Sequence, residues 1–518
     1  MKKLIPFAAI ALFALASPAF AALSQGDVII RHTNVVDVGH ATTVPDQAVV
    51  VRGEDIVAVG SDAEIAKTWQ AGQTVDGKGR YVMPGLWDMH VHFGGGKDLI
   101  PENQAVLPLY LANGVTTVRD CAGDIADAVL SWRPEIRDGK LLGPQLFTSG
   151  AKLEGINPIW TGTLEVGSRE QVDAALAKLK SQHADFVKLT ASTLKPDLFL
   201  YAVSRAKALG FKTSAHIPLG VTVEQAVDAG LTSIEHITYA IKLGARDEAA
   251  IVADYRAGKI NAATARARFV RDFDPKVARE RYRWLASRGV FVTPTLFEMA
   301  PFDAAAHQHD SELKYIGPGL RETWVWRVER AKHQTAQQRA AEKQQFALKQ
   351  RILAMLQDAG VRILAGTDAG FLNSYIYPGF ALHDEMETYQ AAGLTPQQVL
   401  VAATENGPAF FGLQDRYGSV AKGKAADLLL LASNPLKDVR ATRNPVALVL
   451  RGHVYSQASL QQMLSDAARK VDQWNQDVQH ESADIALWKV EGSAAAIGKG
   501  ERYARDAREA HAATQDKP

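Results

Sequence analysis

The chain has 518 residues, 47% hydrophobic and 22% charged, which is the make-up of a globular protein with a large core and more than one domain. A net charge of +1 gives no sign of a nucleic-acid or anionic-membrane partner. Cys121 is the sole cysteine, so no internal disulfide forms and stability must come from packing or from a metal.

The opening segment "MKKLIPFAAIALFALASPAFA" places Lys2 and Lys3 before an apolar run that ends in Ala19-Phe20-Ala21. This is the layout of a secretory signal peptide over residues 1–21, and it predicts a periplasmic or secreted protein without membrane insertion. From 22 to 84, β-branched alternation and Gly/Asp turns predict short strands, as in "GDVIIRHTNVVDV" and "QAVVVRGEDIVAVG". The same texture returns over 412–458, in "GSVAKGKAADLLLLASN" and "NPVALVLRGHVYS". The two ends are therefore expected to build one small β-sandwich domain.

Between them, over 85–411, β-rich runs alternate with helical patterns. The runs are 86–92, 116–122, 145–150, 186–191, 212–217, 233–237, 291–296 and 362–369. Strand–helix alternation implies a parallel sheet in an α/β fold, and eight such units predict a (β/α)8 TIM barrel. An open doubly wound sheet is disfavoured because no glycine fingerprint follows the first run. Two stretches exceed what a barrel needs, 241–285 and 297–350; both are expected as solvated helical excursions, with 297–319 a candidate lid. Residues 459–518 are expected as a helical extension, partly disordered toward the polar end at 499–518.

In "LWDMHVHFGG", strand alternation places Asp88, His90 and His92 on one face and Trp87, Met89 and Val91 on the other. Unpaired buried polar groups cost roughly 2–7 kcal/mol each, so such a face calls for a metal, a hydrogen-bond network or water. Barrel active sites gather at the C-terminal ends of the strands. His90, His92, Lys188, His216, His236 and Asp368 all fall there. Singly, each reads as a hydrogen-bonded core group, a snorkelling lysine or a turn cap; together they form a constellation. Imidazole and carboxylate suit zinc and similar divalent ions, and this set exceeds the three protein ligands of a single open catalytic zinc, which points to two metals. As an ammonium Lys188 would repel them, whereas carboxylated by carbon dioxide it would present an anionic bridge.

This set, together with "PGLWDMHVHF", "GVTTVRD", "VKLTAS", "SIEHITYA", "AGTDAG" and "LHDEMETYQAAGLTPQQVLVAATENGPAFFGL", resembles the binuclear amidohydrolase superfamily, and within it the prolidase-like and imidazolonepropionase-related branch. The resemblance spans residues 27–456. It implies two divalent ions, Zn2+ by preference, with His90, His92 and Asp368 on the more buried one. His216 and His236 would hold the second, and Lys188, as N6-carboxylysine, would bridge the pair. It further implies hydrolysis of an amide or peptide C–N bond in a small-molecule substrate, a dipeptide or N-acyl amino acid, by a hydroxide shared between the metals. Asp368 would carry the proton to the leaving nitrogen, and Tyr239 would hydrogen-bond the carbonyl oxygen. The branch often assembles as homo-oligomers.

Asp88 is expected to orient a ligand histidine, and His383 is read as structural. Arg119 and Asp120 are read either as a contact for a charged substrate end or as a mutual ion pair. Trp160, Tyr315, Tyr375 and Tyr377 lie in the loops expected to set specificity. The same site would serve a lactonase, a cyclic amidase or a phosphotriesterase. A mononuclear deaminase is disfavoured because Ile217, Pro218 and Leu219 follow His216, without the H-x-x-E pattern, and Lys188 is present. A non-catalytic metal-binding protein is disfavoured by Asp368.

Overall fold

The computed structural model describes residues 23–487 apart from 304, 308 and 325. The expected signal peptide and the polar end at 499–518 lie outside the described residues.

Five strands from the N-terminal part, Ser24–Asp37, Thr42–Arg52, Asp55–Ser61, Trp69–Asp76 and Tyr81–Pro84, join Leu428–Leu431, Ala447–Leu450 and His453–Ser456 in one eight-stranded sheet. Tyr81–Pro84 is the junction, pairing in parallel with Ser24–Asp37 and antiparallel with Leu428–Leu431. In hydrogen-bond terms the expected sandwich is thus a single sheet, because this short strand ties both halves into one continuous path. Val28, Ile30, Val49 and Val51 from one half meet Leu428, Leu430 and Val449 from the other in a shared apolar cluster. Burial of such side chains contributes roughly 1.5–3 kcal/mol each.

The middle of the chain forms two parallel ladders rather than one closed ring. Ala369–Gly370, Leu86–His92, Val115–Asp120 and Gln145–Thr148 make a four-stranded sheet. Seven strands make the other, in the order Thr163–Glu165, Lys152–Glu154, Phe186–Leu189, Lys212–Ala215, Ser233–Glu235, Phe291–Thr293 and Arg362–Ile363. Single backbone bonds cross both seams: Asp185 N donates to Thr148 O at 2.9 Å, and Met89 N to Ala365 O at 2.8 Å. Trp87, Met89 and Phe147 from one ladder and Phe186 and Phe291 from the other pack with Leu364 and Phe410 in one aromatic cluster. Both ladders therefore face a common interior.

The run expected as one strand over 362–369 is broken. Arg362–Ile363 pairs with Phe291–Thr293, whereas Ala369–Gly370 pairs with Leu86–His92. Between them Leu364 N still bonds Val292 O, but Ala365 N turns to Ala402 O and Asp368 adopts φ +63°. The segment changes partner sheet within five residues.

The excursion at 241–285 is helical, as Glu248–Arg256, Ala262–Arg271 and Pro275–Ser287, but it is not merely solvated. Ile251, Val252, Ala265, Phe269, Tyr282 and Leu285 are buried in the main core. The C-terminal helix Gln457–Leu487 likewise buries Leu460, Met463, Ala467 and Val471.

Candidate functional site

A register shift in the pairing of Leu86–His92 with Val115–Asp120, between Asp88 and Val91, resets the alternation of the first strand. Trp87 and Met89 point into the aromatic floor, and His90 and His92 take over the interior above them. Asp88 does not share their face as expected. Its carboxylate accepts from Thr367 N at 3.1 Å and from the Thr367 hydroxyl at 2.7 Å, tying the first strand to the segment that carries Asp368. Burial pushes its carboxyl up to about 7.

The histidines and Asp368 converge. His92 Nε2 lies 2.7 Å and His90 Nε2 3.2 Å from Asp368 Oδ1. His90 Nε2 and His92 Nε2 are 3.2 Å apart, and His216 Nε2 and His236 Nε2 are 2.9 Å apart. The rings of His90 and His236 are 5.1 Å apart, joining the two pairs. Ligand atoms of His90, His236 and Asp368 all fall within 4.8 Å of one another, a spacing that suits a metal ion. Lys188, on the same face of its strand as Phe186, is fully buried, and its Nζ finds no hydrogen-bond partner among the described residues.

Electrostatics favour ligation. Burial holds His90 down at about 3 and His216 well below the usual imidazole range. Burial likewise lowers His236 to about 4, so these rings stay neutral and offer lone pairs. Burial alone would raise Asp368, but His92, 2.7 Å from its Oδ1, outweighs it and keeps the carboxyl well below the carboxylate range. Imidazole nitrogens facing each other at hydrogen-bond distance, an ionised carboxylate and a buried amine without an acceptor make a donor set that fits divalent cations.

Glu235 supports this set from beneath and was not singled out in the sequence. Its Oε2 meets His90 Nδ1 at 2.7 Å, and it accepts from Ser214 at 2.7 Å, Ser233 at 2.6 Å and Arg119 at 2.9 Å. This is the carboxylate–histidine arrangement that fixes a ligand's tautomer, the part expected of Asp88. Arg119 therefore neither faces substrate nor pairs with Asp120. Its Nη2 binds Glu235 and its guanidinium lies 4.9 Å from the Phe410 ring centre. Asp120 instead accepts from Phe93 N, Ala122 N and the Thr148 hydroxyl. His236 Nδ1 is fixed by the Thr295 hydroxyl at 2.7 Å. Thr295 is held in turn because Glu385, buried two residues past His383, accepts from Leu296 N at 2.7 Å and from Phe297 N. His383 is structural, with Nε2 3.0 Å from Asn113 O.

Tyr239 stacks on His216 with ring centres 6.4 Å apart, which places it at the rim of the histidine cluster. Tyr375 stacks with Phe302 and His307, the Tyr377 hydroxyl donates to Asp310 at 2.9 Å, and Tyr315 stacks on Phe380. Phe302, His307 and Tyr315 of the 297–319 stretch are thus held by aromatic contacts, and Asp310 by a hydrogen bond. Trp160 lies 5.9 Å from Lys152 Nζ.

Known proteins resemble the chain over most of its length. Ochratoxinase of Aspergillus niger is 25% identical over 500 residues, covering 85% of this chain and 88% of that protein. Among solved structures, bottromycin amidohydrolase superposes with a TM-score of 0.65 at 20% identity, over 86% of this chain and 90% of that one. A Xaa-Pro dipeptidase with bound methionine in its active site gives a TM-score of 0.59 at 20% identity, over 83% of this chain and 99% of that one. The amidohydrolase family model matches residues 81–455. That span takes in both parallel ladders and every histidine described above, and the chain belongs to the amidohydrolase family: it is a hydrolase of the class that cleaves C–N bonds.

Proposed function

We propose that the protein hydrolyses the amide bond of a dipeptide or N-acyl amino acid with two divalent metal ions, Zn2+ by preference, and with Lys188 carboxylated between them. The observation that carries this reading is the buried Lys188 amine, without an acceptor among the described residues, amid imidazoles kept neutral by burial. An ammonium has no partner there, whereas a carbamate oxygen pair would have two cations to meet. His90, His92 and Asp368 would hold one ion, and His216 and His236 the other. When bound, such ions polarise a carbonyl and acidify water.

The chain's own groups supply the rest. Asp368, kept ionised by His92, accepts a proton from the attacking water at Oδ and returns it to the leaving nitrogen. Tyr239 donates a hydrogen bond from its hydroxyl to the substrate carbonyl oxygen; burial raises that phenol above its usual range, so it remains protonated. Glu235 holds His90 Nδ1, and Thr295 holds His236 Nδ1, which leaves Nε2 of each ring free to ligate. In this reading the two ladders are the halves of one barrel, and the protein works in the periplasm or outside the cell. The test is amine release by the zinc-loaded protein across dipeptides and N-acyl amino acids, with Asp368→Asn as control. Turnover that vanishes in the variant supports amide hydrolysis; silence across the library overturns it.

A further inference from the structure

Among the described residues the stretch 297–350 contributes no strand to either ladder, yet it builds most of the wall of a cavity of about 250 Å³. Helices Trp326–His333 and Ala336–Asp358 and the turn at 298–302 enclose it. The cavity adjoins the histidine site in sequence and in space. Thr238 in its wall is two residues past His236, and Glu298 is three residues past Thr295, which binds His236. The charge of Asp368 acts on both Glu298 and Arg327.

The charges in the wall do not cancel. Arg330 is paired with Glu342 at 3.0 Å. Arg327 is buried over the Phe302 ring at 4.5 Å and donates to the backbone oxygens of Ser374 at 3.0 Å and Glu298 at 2.8 Å. Among the described residues neither Arg327 nor Lys349 has a carboxylate ion pair, and the Glu298 carboxylate has no cation bonded to it. Two cations stand against one carboxylate in a half-enclosed cavity, where charge is poorly screened. A single anionic group restores the balance; a second would meet Glu298.

We infer that this cavity binds the free carboxylate of the substrate's amino-acid portion, with Lys349 and Arg327 as its donors. Selectivity then runs to N-acyl amino acids and C-terminal peptide bonds over the corresponding amides. The assignment rests on the amide-hydrolase reading above, whose failure shows separately.

The experiment is titration calorimetry of the full chain with N-acetyl-L-leucine and with N-acetyl-L-leucinamide, alongside amine release measured independently. The unaltered protein should bind the carboxylate more tightly than the amide. Lys349→Met should weaken carboxylate binding about tenfold, the scale of one charge-assisted bond, and leave the amide untouched. Glu298→Gln should tighten carboxylate binding, an opposite sign that misfolding cannot imitate. Lys343→Met, exposed on the same helix, should change neither. Equal affinities for the two ligands in the unaltered protein, or equal weakening of both in Lys349→Met, would overturn the subsite. Carboxylate-selective binding without amine release would support the subsite while overturning the amide-hydrolase reading.

Discussion

Arg119 and Glu235 form a fully buried ion pair directly beneath His90, with Arg119 Nη2 2.9 Å from both carboxylate oxygens. Removing one partner of such a pair leaves an uncompensated buried charge and costs about 3–5 kcal/mol. Arg119→Met keeps the contacts with Phe186 and Phe410 but strands the Glu235 carboxylate on two serines and one imidazole. We expect that loss in chemical denaturation, and with it about a 10–100-fold fall in zinc affinity, the usual price of disturbing the group behind a metal-ligating histidine. Glu235→Gln alone should cost a similar amount by stranding Arg119. If the two effects were independent, the double variant would lose about 6–10 kcal/mol, but removing both charges removes the mismatch. The double variant should therefore be no worse than either single one, a coupling of about 3 kcal/mol or more. Zinc content and urea midpoints of the four proteins close the cycle. Additive losses would refute the claim that the pair is one electrostatic unit.

Other expectations follow from single residues. Lys188→Ala should bind fewer metal ions by mass spectrometry and regain activity in part when small carboxylates are added; unchanged metal content would sink the bridge. Gly370→Ala should drive a Cβ into the His92 carbonyl oxygen at φ +141°, displacing His92 and destabilising by about 2–4 kcal/mol in thermal unfolding. His383 is held down at about 3 by burial and by the Arg443 charge. The unfolded chain takes up a proton near pH 6.5 that the folded chain refuses, so stability falls as pH drops from 6.5 toward 3, by up to roughly 4–5 kcal/mol. His383→Asn should flatten that acid limb in pH-dependent denaturation, and an unchanged slope would show that His383 does not set it.

The convergence of His90, His92, His216, His236 and Asp368 was legible because it depends on residue type at strand ends, which alternation and turn chemistry mark well. Its supports were not, because each depends on a local break in that alternation. Asp88 falls out of register with His90 through a slip between Asp88 and Val91, and no glycine or proline in "WDMHV" announces it. Glu235 and His236 are neighbours that a regular strand would aim to opposite faces. His236 sits at φ +70°, and that turn lets Glu235 reach His90 while His236 meets His216. Likewise nothing in "RILAGTDAG" signals that Arg362–Ile363 and Ala369–Gly370 belong to different ladders. The histidine–Glu235–Arg119 stack links residues far apart in the chain, a relation that only the assembled interior creates.

Departures from regular backbone cluster around the converging histidines and Asp368. His236, Thr295 and Asp368 have φ of +70°, +46° and +63°, conformations that cost L-residues about 1–2 kcal/mol each and that a β-branched threonine rarely adopts. Each is held by a short backbone or carboxylate bond: His236 N to Thr293 O at 2.7 Å, Asp368 N to His90 O at 2.7 Å, and Leu296 N to Glu385 at 2.7 Å. The strain buys direction, since it aims side chains inward at points where the ladders alone would turn them away. Glu385 acts on Thr295, Thr295 on His236, and His236 on His216, so a carboxylate on the helix Phe380–Ala391 determines where an imidazole on another strand points. A site assembled in this way loses its geometry before its fold when one of these bonds is cut, and metal content should therefore respond to such changes more steeply than stability does.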